Sequence, residues 1–429
     1  METTVVRNYG EVSFLLDRKT KHSIFLEGPL AGLASQFLHD PNYLIPDSFL
    51  TKFLPKDRKE ILADCAEIRR AVLSLSNPPK KVSKIRSPLP PQKNALEELS
   101  GYAIKNWQIV NVNFELTHLC NQRCQWCYLE NFQQRGMSRE RIVLLLAKLK
   151  KVGALFLLLT GGEIFSRPDA LDIMEDIEEA GFVLEIKTNG TLLTPKKIEK
   201  LARFHPFDIQ VSIYETHTGY SDLTKSLYRF DLIKENVGLM LKNYLPVTLS
   251  VLVGKHNIDE IEKIHEKLIA TGAEVFYSPY LTSKRGGQGQ EVLFRLSRKE
   301  MEEKFKPFLE KIYAFPVQKK YRDCKYNSTV CYAGRDQIAI SPDGHVFPCL
   351  DLGIPLGDLS HESLDEILVR RKNILNQFTL REMPQCNKCA DRDYCDSCVG
   401  LALLENHNYR MPSQHKCDVI KFYAQNRTN

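Results

Sequence analysis

The 429-residue chain has no hydrophobic run long enough to cross a bilayer. Its most apolar stretch, Val152 to Thr160, gives way at once to Gly161-Gly162-Glu163, well short of the roughly 18–20 apolar residues a span requires. It begins Met1-Glu2-Thr3-Thr4, with neither a basic n-region nor an apolar h-region, so neither secretion nor a membrane partner is expected and a cytoplasmic location is. Charge of one sign is also scarce. The 59 Lys and Arg against 53 Asp and Glu leave +6, spread thinly, with Lys80-Lys81 and Lys319-Lys320 among the denser points, which is too weak to call for a nucleic-acid partner. Core-forming residues are not lacking: 43% are hydrophobic, which excludes disorder as the main state, and the length fits two to four domains.

The 12 cysteines are far less evenly placed than the charge. Cys65 stands alone, Cys120, Cys124 and Cys127 fall within eight residues, and eight more lie between Cys324 and Cys417. In a cytosolic chain such spacing suits metal ligands better than disulfides. Eight thiolates can complete two four-ligand sites, whereas three leave a site one ligand short. Cys65 sits in a helical segment outside every motif and reads as a small core residue.

Residues 12–26 read as a hairpin, Val12–Leu16 and Ser23–Leu26 around a polar turn. A helix through Leu30, Leu33, Phe37 and Leu38 and a second from Arg58 to Leu75 follow, giving a small α+β unit over residues 1–75. Pro78, Pro79, Pro88, Pro90 and Pro91 mark residues 76–104 as a linker, because proline donates no backbone hydrogen bond and disfavours helix before it. Over residues 105–290, strands at Val110–Leu116, Ala154–Thr160, Val183–Thr188, Asp208–Tyr214, Val247–Val253 and Glu274–Ser278 alternate with helical segments. That alternation predicts an α/β fold, a parallel sheet curled into a partial (β/α)6 TIM-like barrel whose chemistry sits at the C-terminal strand ends. A Gly-rich loop at 286–289 leads to a bridging helix within 291–320, charged around Ser297–Ile312, and a cysteine-rich, loop-rich region fills 321–429.

The strand-end rule gathers the motifs. Strand one runs into Thr117-His118-Leu119-Cys120, strand two into Gly161-Gly162-Glu163, strand three into Thr188-Asn189-Gly190, and strand four carries Ser212. Cys120-x₃-Cys124-x₂-Cys127 puts three thiolates on one tight loop, enough to wrap a [4Fe–4S] cube and leave one iron open. Three structural cysteines, or a zinc site completed by His118, use the same residue types.

The segment Cys120-Asn121-Gln122-Arg123-Cys124-Gln125-Trp126-Cys127 resembles the signature of radical S-adenosylmethionine (SAM) enzymes. The resemblance implies that the open iron binds the amino and carboxylate groups of SAM, and that its reductive cleavage yields a 5′-deoxyadenosyl radical that abstracts hydrogen. It also implies an electron donor of flavodoxin or ferredoxin type. Trp126 matches the motif's aromatic position near cluster and adenine. Gly161, Gly162 and Glu163 resemble the family's GGE segment, whose carboxylate meets the methionyl ammonium. Thr188, Asn189 and Ser212 are implied ribose or carboxylate contacts, and Arg229 or Lys225 a partner for the SAM carboxylate.

The later cysteines, Cys324-x₆-Cys331-x₁₂-Gly344-x₄-Cys349 and then Cys386-x₂-Cys389-x₅-Cys395-x₂-Cys398 and Cys417, resemble the SPASM domain of peptide-modifying radical SAM enzymes. That resemblance implies two auxiliary [4Fe–4S] clusters, one on Cys324, Cys331, Cys349 and Cys398, the other on Cys386, Cys389, Cys395 and Cys417. The family usually has three residues where Cys395 and Cys398 are separated by two. Two zinc sites are the alternative reading, since thiolates suit both. Asp351, two residues past Cys349, is a candidate proton acceptor near substrate.

The N-terminal hairpin and helices resemble the winged-helix-like recognition element of maturases acting on ribosomally made peptides, where an edge strand captures a leader peptide by strand addition. A radical SAM enzyme that modifies a precursor peptide is therefore expected. The expected product is an intramolecular crosslink, thioether first and carbon–carbon second. Alternatives are a side-chain maturase of the formylglycine type, a peptide-derived redox-cofactor enzyme, and a non-catalytic zinc-binding adaptor.

Overall fold

The computed structural model describes residues 3–28, 30–46, 49, 58–75, 95–216, 219–287, 289–312, 331–395 and 397–426. Its framework is set by alternation in the central strands β4 (Asn111–Thr117), β5 (Phe156–Gly161), β6 (Val183–Thr188), β7 (Asp208–Ile213), β8 (Val247–Leu252) and β9 (Glu274–Ser278). Val112, Phe114, Leu116, Leu157, Leu159, Leu184, Ile186, Ile209, Val211, Leu249 and Val251 are buried in one core. They are covered by the helices Arg139–Lys151, Ala170–Glu179, Pro195–Ala202, Phe230–Lys242 and Ile261–Ile269. The opposite parity reads Asn113, Glu115, Thr160, Glu185, Lys187, Gln210, Ser212, Thr248 and Ser250. A parallel sheet covered on both faces is apolar throughout. This one is polar inside, because its concave face lines a cavity.

The six strands pair in parallel in chain order. Two match the sequence expectation to the residue, and the other four shift at their ends. Local caps define the helices: Ser138 accepts from the Arg141 amide, and Thr194 caps a helix that starts on Pro195, whose missing N–H is no loss at a first helical position.

The sheet is not a closed barrel. It has nine strands in the order β12-β11-β10-β4-β5-β6-β7-β8-β9. The three additional strands, β10 (Gln337–Ile340), β11 (His345–Phe347) and β12 (Gly357–Asp358), come from the cysteine-rich region. β10 pairs parallel with β4, and Ile338 and Ile340 join the main core. The sequence reading missed these strands because two to four residues are too few to display a period of two.

Residues 95–106 correct the expected 76–104 linker. Ala95–Asn106 is a helix, with Glu97 and Glu98 in its first turn and Lys105 in its last, the polarity that complements a helix dipole. Leu99 and Ala103 are buried against the N-terminal sheet, and the Tyr102 hydroxyl donates to the Tyr9 carbonyl at 3.0 Å. The proline-rich stretch, 76–94, lies outside the described residues. The bridging helix runs from Arg298 to Lys311 with one wide turn at Met301–Phe305, and 313–320 of its expected span also lies outside.

The N-terminal unit holds the expected hairpin, β2 (Val12–Asp17) with β3 (Ser23–Glu27), plus an unforeseen outer strand β1 (Thr4–Tyr9). Helices Leu33–His39 and Arg58–Ser74 pack on it, with Cys65 buried between them as a small apolar residue. The unit is fastened to the sheet's N-terminal end through backbone carbonyls. Arg7 donates to Ala154 and Gly181 at 3.0 and 2.7 Å, and Arg18 pairs with Glu178 at 2.7 Å. Among the described residues no helix is long and apolar enough to cross a membrane.

Because β10 belongs to the same sheet and core as β4, Ile338→Ala is expected to cost about 2–5 kcal/mol, the usual range for emptying a buried aliphatic site. In chemical denaturation the central sheet and the cysteine-rich region are expected to lose stability in one shared transition. An early, separate melting of the cysteine-rich region would contradict the shared sheet.

Candidate functional site

The cysteine loop follows β4 and is held by backbone contacts that only glycine permits. At Gly161, φ is +116°, and a Cβ there would fall 2.2 Å from the Thr117 carbonyl oxygen. A Cβ on Gly162 would fall 2.2 Å from the Leu119 oxygen and 2.7 Å from that of His118. With no Cβ at Gly161 and Gly162, the Gly162 and Glu163 amides donate to the Thr117 and Leu119 carbonyls, each at 2.8 Å. The two glycines thus dock the β5 turn directly on the cysteine loop.

The other wall of that loop is a short helix missed in the sequence, Gly219–Thr224. Its carbonyls at Thr224 and Leu223 accept from the Arg123 and Gln125 amides at 2.7 and 3.2 Å. The fully buried Tyr220 hydroxyl meets the Gln122 amide at 3.4 Å.

Glu163 is fully buried. Its carboxylate accepts from Thr188 Oγ1 at 2.8 Å, the Asn189 amide at 2.7 Å and the Phe165 amide at 3.1 Å. Burial raises its carboxyl, and these three donors partly offset that. The acid therefore organises the end of β6 instead of facing the cavity. Asn189 continues the chain of contacts, donating to Asn121 Oδ1 at 2.9 Å and so tying the β6 end to the cysteine loop.

Cys120, Cys124, Cys127, Trp126, Gly161, Gly162, Thr188, Asn189 and Ser212 line one cavity of about 320 Å³. Arg229 is not among them: it is exposed at the start of helix Phe230–Lys242, and Lys225 is exposed as well. Trp126 is clamped, stacked on His256 at 4.6 Å and edge-on to Tyr214 and Phe294 at 4.9 and 5.1 Å. Burial pushes His256 down to about 4, so this clamp is a neutral imidazole. The sequence reading named Trp126 alone, because its three partners come from distant loops.

Burial raises all three thiols, Cys120 to about 11, and repulsion from neighbouring thiols adds to the effect at Cys120 and Cys124. Three half-buried cysteines facing one space would repel one another as thiolates unless a cationic body sat between them. That chemistry, with a glycine-built cradle alongside, fits an iron–sulfur cluster held by three cysteines with room for a ligand.

In the C-terminal region, Cys386, Cys389, Cys395 and Cys417 line a second cavity of about 150 Å³. Burial pushes Cys386 and Cys417 up to about 11. Cys331 and Cys349 pack in a neighbouring apolar cluster and act on one another electrostatically. Cys398 caps helix Val399–Asn406, whose Gly400 presses on the backbone of Asp351. Cys324 lies outside the described residues. The donor sets again suit clusters.

Between the two regions lies a network absent from the sequence reading. Glu115 on β4 is buried and accepts from Tyr128 Oη at 2.9 Å and Arg285 at 2.8 Å, with His118 Nε2 at 3.5 Å. Burial alone would raise this carboxyl, but hydrogen bonding from His118 and the charge of Arg285 hold it below the usual range. Arg285 also reaches the Leu350 carbonyl at 3.5 Å and stacks over Tyr128. It joins the cysteine loop to the Cys349–Asp351 loop.

Residues 114–268 match the radical SAM superfamily model, and residues 331–398 match SPASM, an iron–sulfur cluster-binding domain. The chain is therefore a radical SAM enzyme with a SPASM domain, a combination that implies iron–sulfur clusters and SAM binding. Among curated relatives, the antilisterial bacteriocin subtilosin biosynthesis protein AlbA of Bacillus subtilis (strain 168) is 25% identical over 70% of this chain and 69% of its own length. The AdoMet-dependent heme synthase of Methanosarcina barkeri is 24% identical over 70% of this chain and 93% of its own. In fold, Streptococcus suis SuiB bound to precursor peptide SuiA superimposes with a TM-score of 0.62 at 15% identity. The match covers 97% of this chain and 98% of that one, the N-terminal unit included.

Gly162→Ala is expected to push the cysteine loop off the β5 turn and deplete the iron bound there. Gly32→Ala, where a Cβ meets nothing within 4 Å, should leave iron content unchanged. Because the folded Glu115 carboxyl lies below its unfolded value, its ionisation stabilises the fold above the unfolded carboxyl's pKa. That contribution is lost as pH falls through the folded value. Glu115→Gln should accordingly flatten the acid limb of Tm against pH, and an unchanged limb would remove this role.

Proposed function

We propose that this enzyme modifies a ribosomally synthesised precursor peptide and forms an intramolecular crosslink, a thioether in the first instance and a carbon–carbon bond in the second. The observation that supports this most is the joint lining of one cavity by the three cysteines, the glycine turn and the β6 and β7 ends, open to a polar sheet interior. A bound cluster with SAM supplies hydrogen-atom abstraction. The protein's own part is to hold and orient: Thr188, Asn189 and Ser212 present polar groups to the cofactor, and Trp126, kept in place by His256 and Tyr214, offers an aromatic wall. Tyr280, Leu281 and Thr282 line the cavity on the side of the C-terminal region.

The eight later cysteines are assigned to two auxiliary clusters. Cys386, Cys389, Cys395 and Cys417 hold one, in keeping with their shared cavity, and Cys324, Cys331, Cys349 and Cys398 hold the other. Asp351 is assigned as the proton acceptor beside Cys349. A one-electron donor of flavodoxin or ferredoxin type is assigned as partner, and the cytoplasm as location.

The leader is assigned to the N-terminal unit. β3 is an edge of its three-stranded sheet and carries Ile24, Phe25 and Leu26. An unpaired apolar edge of this kind is a template for an added strand. The adjoining helix Arg58–Ser74 leaves Leu62 and Leu73 exposed, apolar side chains a docked leader would cover.

With SAM, a low-potential reductant and the precursor peptide encoded beside the gene, mass spectrometry is expected to show loss of two hydrogens for each bond formed. Cys124→Ala should abolish this. Leu62→Glu should raise KM for the leader-bearing peptide about tenfold, one interface anchor's worth, and leave kcat unchanged. Unmodified peptide from a cluster-replete enzyme that cleaves SAM would overturn the peptide reading.

A further inference from the structure

Lys187 has no part in what is described above. It precedes Thr188 on β6, and the strand's alternation turns it to the concave face while Leu184 and Ile186 enter the core. Among the described residues that line the 320 Å³ cavity it is the one Lys or Arg, and no Asp or Glu is among them. Among the described residues its ammonium makes no hydrogen bond, and no carboxylate lies within ion-pair distance. The side chain is exposed to the open cavity, and the protein around its base still desolvates the ammonium and lowers its pKa. A cation so placed gains most from an anion that arrives with a ligand.

The direction Lys187 faces separates two sources for that anion. The cations that act on Cys120 and Cys127 are Arg123, Lys284 and Arg285. The charges that act on Lys187 are Glu185 on its own strand, Asp208 on β7 and Asp351 on the C-terminal loop. Two of these acids have other partners, and the third is disfavoured as a carboxylate. Asp208 accepts from Thr248 at 2.9 Å, Asp351 acts on Arg285, and burial raises the Glu185 carboxyl. A SAM held at a cluster on the three cysteines would bring its carboxylate to the thiols and their cations. No thiol is among the charges that act on Lys187, whereas Asp351 of the C-terminal loop is, which sets this cation on the side of the cavity away from the cluster loop.

We propose that Lys187 is a specificity-determining residue that binds a carboxylate of the substrate, so that the modified peptide carries an Asp or Glu side chain close to the reacting residue. This rests on the peptide reading above and narrows it. The juxtaposition predicts that an acidic residue near the modified position is read directly by the cavity.

The test uses cluster-replete enzyme loaded with SAM and two capped tripeptides, acetyl-Gly-Glu-Gly-amide and acetyl-Gly-Gln-Gly-amide, with binding followed by calorimetry. The wild type is expected to favour the glutamate peptide about tenfold, the scale of one charge-assisted hydrogen bond. Lys187→Gln should abolish the preference with SAM affinity unchanged, and Lys187→Arg should retain most of it. If Lys187→Gln weakens SAM instead, the carboxylate is the cofactor's and the proposal fails. If wild type and Lys187→Gln treat the two peptides alike, it fails as well. Because no turnover is needed, a glutamate preference without modification of any peptide would count against the peptide reading alone. Crosslinking that does not depend on Lys187 would count against this subsite alone.

Discussion

A parallel sheet that buries only one of its faces is the constraint on which the site depends. The aliphatic residues of β4 to β8 go outward to the helices, and Glu115, Thr160, Lys187, Ser212 and Ser250 remain on the concave side. Packing them against an apolar layer would strand charges and hydroxyls without water. The sheet therefore stays open, and the space it encloses becomes the reaction chamber. The same opening explains why the cysteine loop can lie across one end of the strands with a ligand-sized volume beneath it.

Closing the chamber falls to the C-terminal region, by means beyond the strand β10. The segment after β9 is tied to that region by a buried pair, Arg295 with Glu405 at 2.8 Å, and Ser283 donates to the same carboxylate at 2.9 Å. The Leu281 amide donates to His415 Nε2 at 3.1 Å, and His415 lies two residues before Cys417. Leu281 lines the main cavity, so one hydrogen bond separates the wall of that cavity from the helix that carries Cys417 of the second cysteine set. Breaking the Arg295–Glu405 pair from one side leaves a charge buried and unpaired, which costs far more than the pair itself contributes. That asymmetry favours a fixed relation between the two cysteine regions.

The sequence was most informative where chemistry depends on spacing. The three-cysteine loop, the glycine turn and the β6 end were placed together from strand order alone, and the structure sets them around one cavity. Two residues named by resemblance stand away from the cavity lining. Glu163 is spent inside the protein on Thr188, Asn189 and Phe165, and Arg229 stays at the surface. A motif specifies a residue's position in the chain and leaves its hydrogen-bond partners open. Missed altogether were the Glu115–Arg285–Tyr128 network and the Trp126–His256 stack, whose members are 13 to 170 residues apart or meet only through folding. One signal for the chamber was available: Glu185 and Lys187 alternate with Leu184 and Ile186 in a strand that a two-sided parallel sheet would have made apolar throughout.

The most direct measurement of the central claim isolates the three-cysteine site from the eight later thiols. A variant with every cysteine from Cys324 to Cys417 changed to alanine, purified without oxygen and reconstituted, is expected to bind about four irons per chain. Its reduced electron paramagnetic resonance spectrum should change on addition of SAM. A colourless protein, or a spectrum indifferent to SAM, would contradict the account.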